Sequence, residues 1–137
     1  MTDRAARQAA RLSARRARGA ASRLAGRRQE WVAALLLILK GYRILALRLK
    51  TPQGEIDLLA QRGHVLVVVE VKSRATIEAA LEAVSSVQLQ RLRRAGEALA
   101  ARRADRLQLN VRLDLVALAP GAWPRHVPDA WRDDGAG

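Results

Sequence analysis

The chain of 137 residues contains no cysteine, which excludes disulfide bonds and thiolate metal sites. It also lacks a long apolar run, because the longest, from Val32 to Leu39, is far shorter than the ~20 residues of a membrane-spanning helix. No signal-peptide pattern precedes that run. We therefore expect a cytoplasmic protein that does not span a membrane.

Acidic residues are scarce, since 13 Asp and Glu stand against 25 Lys and Arg and the net charge is +12. A balance this basic predicts a polyanionic partner such as nucleic acid. The excess lies mainly near the N-terminus, where residues 1–29 contain nine arginines and a single acid, Asp3. Most of the basic character therefore belongs to one segment of the chain.

That segment is rich in alanine and arginine, and its only large apolar residues are Leu12 and Leu24, so it cannot form a core of its own. We expect residues 1–27 to be an arm that is disordered or partly helical and becomes ordered on a polyanion. The alternative is a solvated tail that keeps the protein in solution. Residues 28–131 are then one domain with a modest core, and residues 132–137 a short C-terminal tail.

Hydrophobic periodicity predicts a helix over residues 28–39 that faces a sheet through four residues at helical spacing, Trp31, Ala34, Leu35 and Ile38. Later elements alternate between strand and helix patterns, with strands over residues 42–49, 55–60, 64–72 and 107–118 and a helical pattern over 76–103. The valine-rich third strand suits a central position in a sheet. Ser85 and Ser86 either interrupt the second helix or cap a new one. Three of the four prolines lie in residues 119–137, where we expect irregular structure.

Three charged residues stand inside apolar strands. Asp57 lies between Ile56 and Leu58, and Glu70 and Lys72 lie among valines. Burying an unpaired charge is costly, so such groups are usually paired or coordinated to a metal. A hairpin between the two strands could place Asp57 beside Glu70, although the sequence leaves the register open. Two converging carboxylates suit Mg²⁺. The alternative is that Glu70 and Lys72 form an ordinary ion pair on an exposed strand, without a functional role.

The order and spacing of these residues resemble a known group. Asp57, followed after twelve residues by Glu70-Val71-Lys72, resembles the PD-(D/E)XK nuclease signature. Together with motifs at residues 41–45, 54–58 and 112–114, it is similar to the YraN-like family of small bacterial proteins. This resemblance implies an α/β fold with a restriction-endonuclease-like core like that of Holliday-junction resolvases. Its elements would run α-β-β-β-α-β and form a mixed sheet flanked by helices.

The resemblance also implies a role for each motif residue. Asp57, Glu70 and the main-chain carbonyl of Val71 would bind Mg²⁺ or Mn²⁺. Lys72 would orient or activate the attacking water, and Glu30 would be a further catalytic acid near the metal. We expect nucleic-acid contacts from Arg43, Arg48, Lys50, Arg74 and Gln88. Relatives often carry Asn at the position of Arg48 and Lys at that of Gln88, so the side of the site that faces the substrate differs here.

These observations predict a metal-dependent endonuclease that hydrolyses phosphodiester bonds in DNA, with branched or structured DNA as a candidate substrate. A homodimer is a further expectation, because resolvases that cut junctions symmetrically act as dimers. The main alternative is a catalytically inactive nucleic-acid-binding protein of the same fold. A third is a basic adaptor for a ribosome, a membrane surface or a partner protein.

Overall fold

A computed structural model describes residues 3–102 and 109–131, and for residues 16–27 it describes the backbone alone. Its helices and strands follow one another along the chain as α1 (Asp3–Leu39), β1 (Arg43–Thr51), β2 (Gly54–Arg62), β3 (Val65–Ser73), α2 (Ile77–Leu81), α3 (Ser86–Ala101), β4 (Asn110–Leu118) and β5 (Arg125–Val127). None of the helices described has both the length and the apolar character needed to span a membrane.

The strands form one mixed sheet in the order β1-β2-β3-β4-β5. The first three strands are antiparallel neighbours, β4 pairs parallel to β3, and β5 pairs antiparallel to β4. The valine-rich β3 is central and buried, because helices cover both of its faces. The α/β fold and its mixed sheet flanked by helices, consistent with a restriction-endonuclease-like core, are therefore confirmed.

Each face of the sheet packs against a different helix. On one face, Ala33, Ala34 and Leu37 of α1 join a cluster with strand residues. On the other face, Leu92 and Ala95 of α3 do the same. Gly96 lets α3 approach closely, because a Cβ at this position would lie 2.7 Å from Val111 and 2.8 Å from Val68. Ile56 and Leu113 are among the strand side chains of this second layer.

Two details of α1 differ from the sequence prediction. The helix begins at Asp3 instead of residue 28, and the buried stripe is different. Of the four residues predicted to face the sheet only Ala34 is buried, whereas Trp31, Leu35 and Ile38 are exposed. Residues 31–39 are apolar on every side of the helix, so periodicity could not identify the face that packs on the sheet. The division of the chain into arm and domain stays a prediction.

The later segments confirm some expectations and correct one. Ser85 caps α3, since its hydroxyl accepts a hydrogen bond from the amide of Gln88 at 3.2 Å, and α2 is a separate short helix. The prediction of irregular structure after residue 119 is wrong at residues 125–127, which pair with β4 as β5. Residues 103–108 and the predicted tail, residues 132–137, lie outside the part that the structure describes.

Candidate active site

The candidate site lies where β2 separates from β3. Pairing between these strands ends at Leu58 and Val69, whereas β3 continues to pair with β4 as far as Ser73. The side chain of Asp57 occupies the gap, and its Oδ2 accepts a hydrogen bond from the amide of Val71 at 2.9 Å. A side-chain carboxylate thus replaces the strand partner that Val71 would otherwise have.

In both β1 and β2 the alternation of side chains between the two faces of the sheet is interrupted at this point. Strict alternation would place Ile56 and Leu58 on one face, yet Ile56 packs in the layer of α3 and Leu58 in the layer of α1. Their partners in β1, Leu49 and Leu47, divide in the same way. Arg48 lies between those two leucines with a φ of 50°, a left-handed conformation that side chains other than glycine seldom adopt. The charged residue in each strand therefore lies where the strand changes faces.

Glu70 is the centre of a polar cluster in the layer of α3. Lys72 Nζ lies 2.9 Å from Glu70 Oε1. The side-chain amide of Gln88, from the first turn of α3, donates a hydrogen bond to the same oxygen at 2.9 Å. Gln88 therefore reaches the candidate site. Because Ser85 caps the N-terminus of α3, it also helps to position Gln88 relative to the strands of the sheet.

Burial and mutual repulsion shape the protonation of the carboxylates. Burial raises the pKa of Asp57, although the Val71 amide and Lys72 oppose this rise. The pKa of Glu70 is also raised, first by burial and then by the negative charge of Asp57. Each of these carboxylates therefore acts on the protonation of the other. A cation between two carboxylates would offset both causes.

Glu30 joins this environment from α1. Its carboxylate is mostly buried, and Arg48 Nε donates a hydrogen bond to Glu30 Oε2 at 2.6 Å. Burial raises the pKa of Glu30, Arg48 lowers it, and the charges of Asp57 and Glu55 raise it further. The predicted acid therefore lies close enough to Asp57 to respond to its charge, with Arg48 as its partner.

The donor set fits a Mg²⁺ or Mn²⁺ ion that keeps several waters. The Val71 amide uses Oδ2 of Asp57 and the Gln88 amide uses Oε1 of Glu70, and the two carboxylates are also hydrogen-bonded to each other, so their oxygens converge on one point that a cation could share. The N–H and C=O of a strand residue point toward the same neighbour, so the carbonyl of Val71 faces the gap as its amide does. Magnesium commonly uses one or two carboxylates together with waters and phosphate. Within residues 3–102 and 109–131, no group of three or more His, Asp or Glu side chains is arranged to hold a metal.

The predicted nucleic-acid contacts fall into three groups. Gln88 contacts Glu70 and Arg48 contacts Glu30 at the site, whereas Lys50 and Arg74 are exposed near the ends of β1 and β3. Arg43 is not brought to the site. It contacts Gln61 at 3.5 Å and lies five residues from Arg48, roughly 17 Å along an extended strand.

Sequence reasoning missed Arg91, one turn after Gln88 on α3. With Gln88 and Glu55 it lines a small cavity of about 50 Å³. The stem of Arg91 lies against Gly54, where a Cβ would be only 2.9 Å from Arg91 Cδ and where φ is +132°. The signal was present in the sequence as a glycine next to the Glu55-Ile56-Asp57 motif, but only the fold shows what packs on it.

A second polar network, with no predicted role, lies in the layer of α1. Asp114 is fully buried and accepts two hydrogen bonds from Arg112 at 2.8 Å. It also contacts His126 Nε2 at 2.7 Å and accepts from the amide of Asp129 at 2.9 Å. Burial alone would raise the pKa of Asp114, but the bonds with His126, Arg112 and Asp129 together lower it. These contacts join β4 to β5 and the segment after it.

Comparison with known proteins places this chain in a family. The family described as uncharacterised protein family UPF0102 matches residues 29–118. The chain belongs to UPF0102. This is the YraN-like family, a member of a nuclease-like superfamily, so the resemblance found in the sequence is confirmed.

Relatives within UPF0102 match most of the chain. A UPF0102 protein of Caulobacter vibrioides (strain NA1000 / CB15N) is 65% identical over 117 residues, which are 85% of this chain and 94% of that protein. One of Caulobacter sp. (strain K31) is 62% identical over 125 residues, 91% of this chain and 90% of the relative. One of Parvibaculum lavamentivorans is 51% identical over 116 residues, 85% and 87% of the two chains. These names give the family and no activity.

Proposed function

We propose that this UPF0102 protein is a metal-dependent endonuclease that hydrolyses phosphodiester bonds in DNA. The observation that carries the proposal is the convergence of Asp57, Glu70 and Lys72 at the gap between β2 and β3. Both carboxylates are raised in pKa, which is common where burial and like charges are arranged for catalysis or metal binding. A merely solvated strand would have no such pair.

Asp57, Glu70 and the Val71 carbonyl would hold Mg²⁺ or Mn²⁺. When bound, the ion supplies Lewis-acid polarisation of the phosphate and a water of lowered pKa. Lys72 adds a fixed positive charge for the negative charge that develops on the phosphate. Gln88 holds the carboxylate of Glu70 in orientation, and Glu30 with Arg48 forms the wall on the α1 side.

The substrate would be recognised mainly through its phosphates. Arg48, Lys50 and Arg74 surround the site on the strand side, and the exposed Arg4, Arg7, Arg11 and Arg15 of α1 provide further positive charge. Contacts of this kind give an affinity that falls steeply with salt and carry no base sequence by themselves. Branched or structured DNA therefore suits the site better than a defined sequence.

One observation favours the inactive nucleic-acid-binding alternative. Arg48 is bonded to Glu30 and Lys72 to Glu70, so the two basic groups nearest the carboxylates already have a carboxylate partner. A site kept for structure and charge balance would have the same pairs. The two functions predict different effects of a divalent cation, because only the endonuclease needs one to cleave DNA.

The deciding experiment incubates the purified protein with linear, flapped and four-way branched DNA in Mg²⁺ or Mn²⁺. We expect cleavage of at least one substrate, its loss on chelation, and its loss in Asp57→Asn and Glu70→Gln with DNA binding retained. Glu97→Gln, an exposed acid on α3, is the matched control and should cleave normally. If no substrate is cut while all are bound, the binding protein replaces the enzyme. If no DNA is bound either, the adaptor class remains.

A further inference from the structure

The outer face of the C-terminal part of α1 is apolar and exposed. Five large side chains form it, with exposed fractions of 64% for Trp31, 43% for Val32, 58% for Leu35, 51% for Ile38 and 77% for Leu39. No charged residue occurs between Glu30 and Lys40. The opposite face of the same segment, with Ala33, Ala34 and Leu37, already packs on the sheet. A helix that is apolar on all sides is normally buried on all sides.

The size of this face indicates a protein partner. A large aromatic side chain carries roughly 150–250 Å², and the five exposed fractions correspond to roughly 600 Å² of apolar surface, the upper end of what a monomer usually exposes. Two copies of the face would together remove roughly 1,200 Å², the lower bound of stable interfaces even before rim atoms are counted. Nucleic acid fits less well, because the five side chains of the face carry no positive charge and the cations Arg28 and Lys40 lie only at its borders.

We propose that a second copy of the chain covers this face through an isologous interface between the two α1 helices. Trp31, Leu35 and Leu39 are spaced four residues apart and form a single ridge, and such ridges pack into the matching grooves of another helix. A two-fold axis near Leu35 lets the same ridge serve both protomers, since each half of an isologous interface is the same surface.

A neighbouring loop extends the face. The segment of residues 119–124 lies beside Val32 across an open depression of about 350 Å³ that is mainly apolar. It carries Trp123, which is 91% exposed. Tryptophan is enriched at the hot spots of protein interfaces, so the exposed Trp123 in this loop gives each protomer a second large apolar side chain for the proposed interface.

The first test measures the mass of the full chain by sedimentation velocity over a concentration series. We expect a reversible dimer that Leu35→Glu and Ile38→Glu convert to a monomer, with an unchanged circular dichroism spectrum because both residues are exposed. The matched control is Val87→Glu, an exposed apolar residue on α3 at 63%, which should remain dimeric. A wild-type chain that stays monomeric up to millimolar concentration overturns the proposal.

The second test uses the absence of cysteine from the chain. Leu35→Cys places one thiol near the proposed two-fold axis, so mild oxidation should give a covalent dimer within minutes, whereas Val87→Cys should remain monomeric on denaturing gels. Equal cross-linking of both variants would show random collision and overturn the interface. Flotation of the monomer with neutral or anionic vesicles, abolished in Leu35→Glu, would identify a lipid surface in place of the second copy. Neither test depends on nuclease activity, so the interface and the proposed function can fail separately.

Discussion

Arg48, Lys72 and Arg91 contact residues of the candidate site, and they differ in whether a carboxylate already holds them. Arg48 is bonded to Glu30, and Lys72 to Glu70. Arg91 is exposed, its stem rests on Gly54, and no hydrogen bond or ion pair joins it to another residue that the structure describes. Of the three, Arg91 is therefore the one most available to a phosphate of the substrate.

Replacing Arg91 by Gln should weaken DNA binding measured without metal by roughly two- to fivefold at low salt, since an exposed ion pair contributes up to about 1 kcal/mol. The slope of log affinity against log salt should fall by about one. Fluorescence anisotropy with a labelled branched DNA measures both. Arg93→Gln, an exposed neighbour on another side of α3, is the control for net charge. Equal losses in the two variants would remove Arg91 from the site.

Gln88 contacts Glu70, a ligand of the proposed metal, and this contact gives a separate prediction. Gln88→Ala removes the amide that holds Glu70 Oε1, so Mn²⁺ affinity measured by calorimetry should fall roughly tenfold, the usual effect of losing such a supporting hydrogen bond. Gln90→Ala, an exposed amide on the same helix, should bind Mn²⁺ as the wild type does. Unchanged affinity in Gln88→Ala would make its bond to Glu70 a packing feature alone.

Among the elements, α1 combines a basic part with an apolar part in one continuous helix. Sequence reasoning identified both parts, because arginine content and apolar runs are visible in composition. It could not join them, since the alanine-rich sequence between has no apolar periodicity that would predict a helix. The succession of the first four strands along the chain was predictable from apolar periodicity, and their mixed sheet from the family motif. The change of face at Arg48 and Asp57 was not predictable, because the alternation of apolar and polar residues does not reveal a residue in the left-handed conformation.

Four arginines in the first half of α1 lie in a row. Arg4, Arg7, Arg11 and Arg15 are exposed and follow helical spacing, so they share one side of the helix. Replacing all four by Gln should reduce the salt slope of DNA binding by about 3–4, since each phosphate contact contributes about 0.9. The measurement is anisotropy across a salt series with the metal chelated.

A control variant of the same net charge distinguishes a specific contribution of the arm to DNA binding from the effect of the total charge of the protein. It replaces four exposed arginines elsewhere by Gln: Arg93, Arg94, Arg102 and Arg125. The arm is a nucleic-acid contact if its variant loses clearly more affinity than this one. Similar losses would favour the solvated tail that composition alone left open.

At the scale of the whole molecule, Asp114 holds the far side of the sheet together. It is bonded to Arg112 and His126, and Arg112 in turn donates to the hydroxyl of Tyr42 at 2.6 Å, just after α1. These contacts could not be predicted from the sequence, because they depend on β5, and the prolines around that strand had predicted irregular structure. Removing one partner of a buried ion pair typically costs 3–5 kcal/mol, so Asp114→Asn should lower the free energy of unfolding by about 3 kcal/mol at neutral pH.

The same residue predicts a dependence on pH. Because its pKa is lowered in the folded state, Asp114 contributes stability that is complete above its unfolded pKa, about 4, and that is lost as the pH falls through the folded value. Asp57 and Glu70, whose pKa values are raised, act in the opposite direction, so their contribution is lost as the pH rises. Urea unfolding followed by circular dichroism from pH 3 to 7 should therefore show a gap between wild type and Asp114→Asn that narrows toward acid. Glu97→Gln should follow the wild type throughout, and a gap that stays constant across this range would mean that the charge of Asp114 is not what stabilises the network.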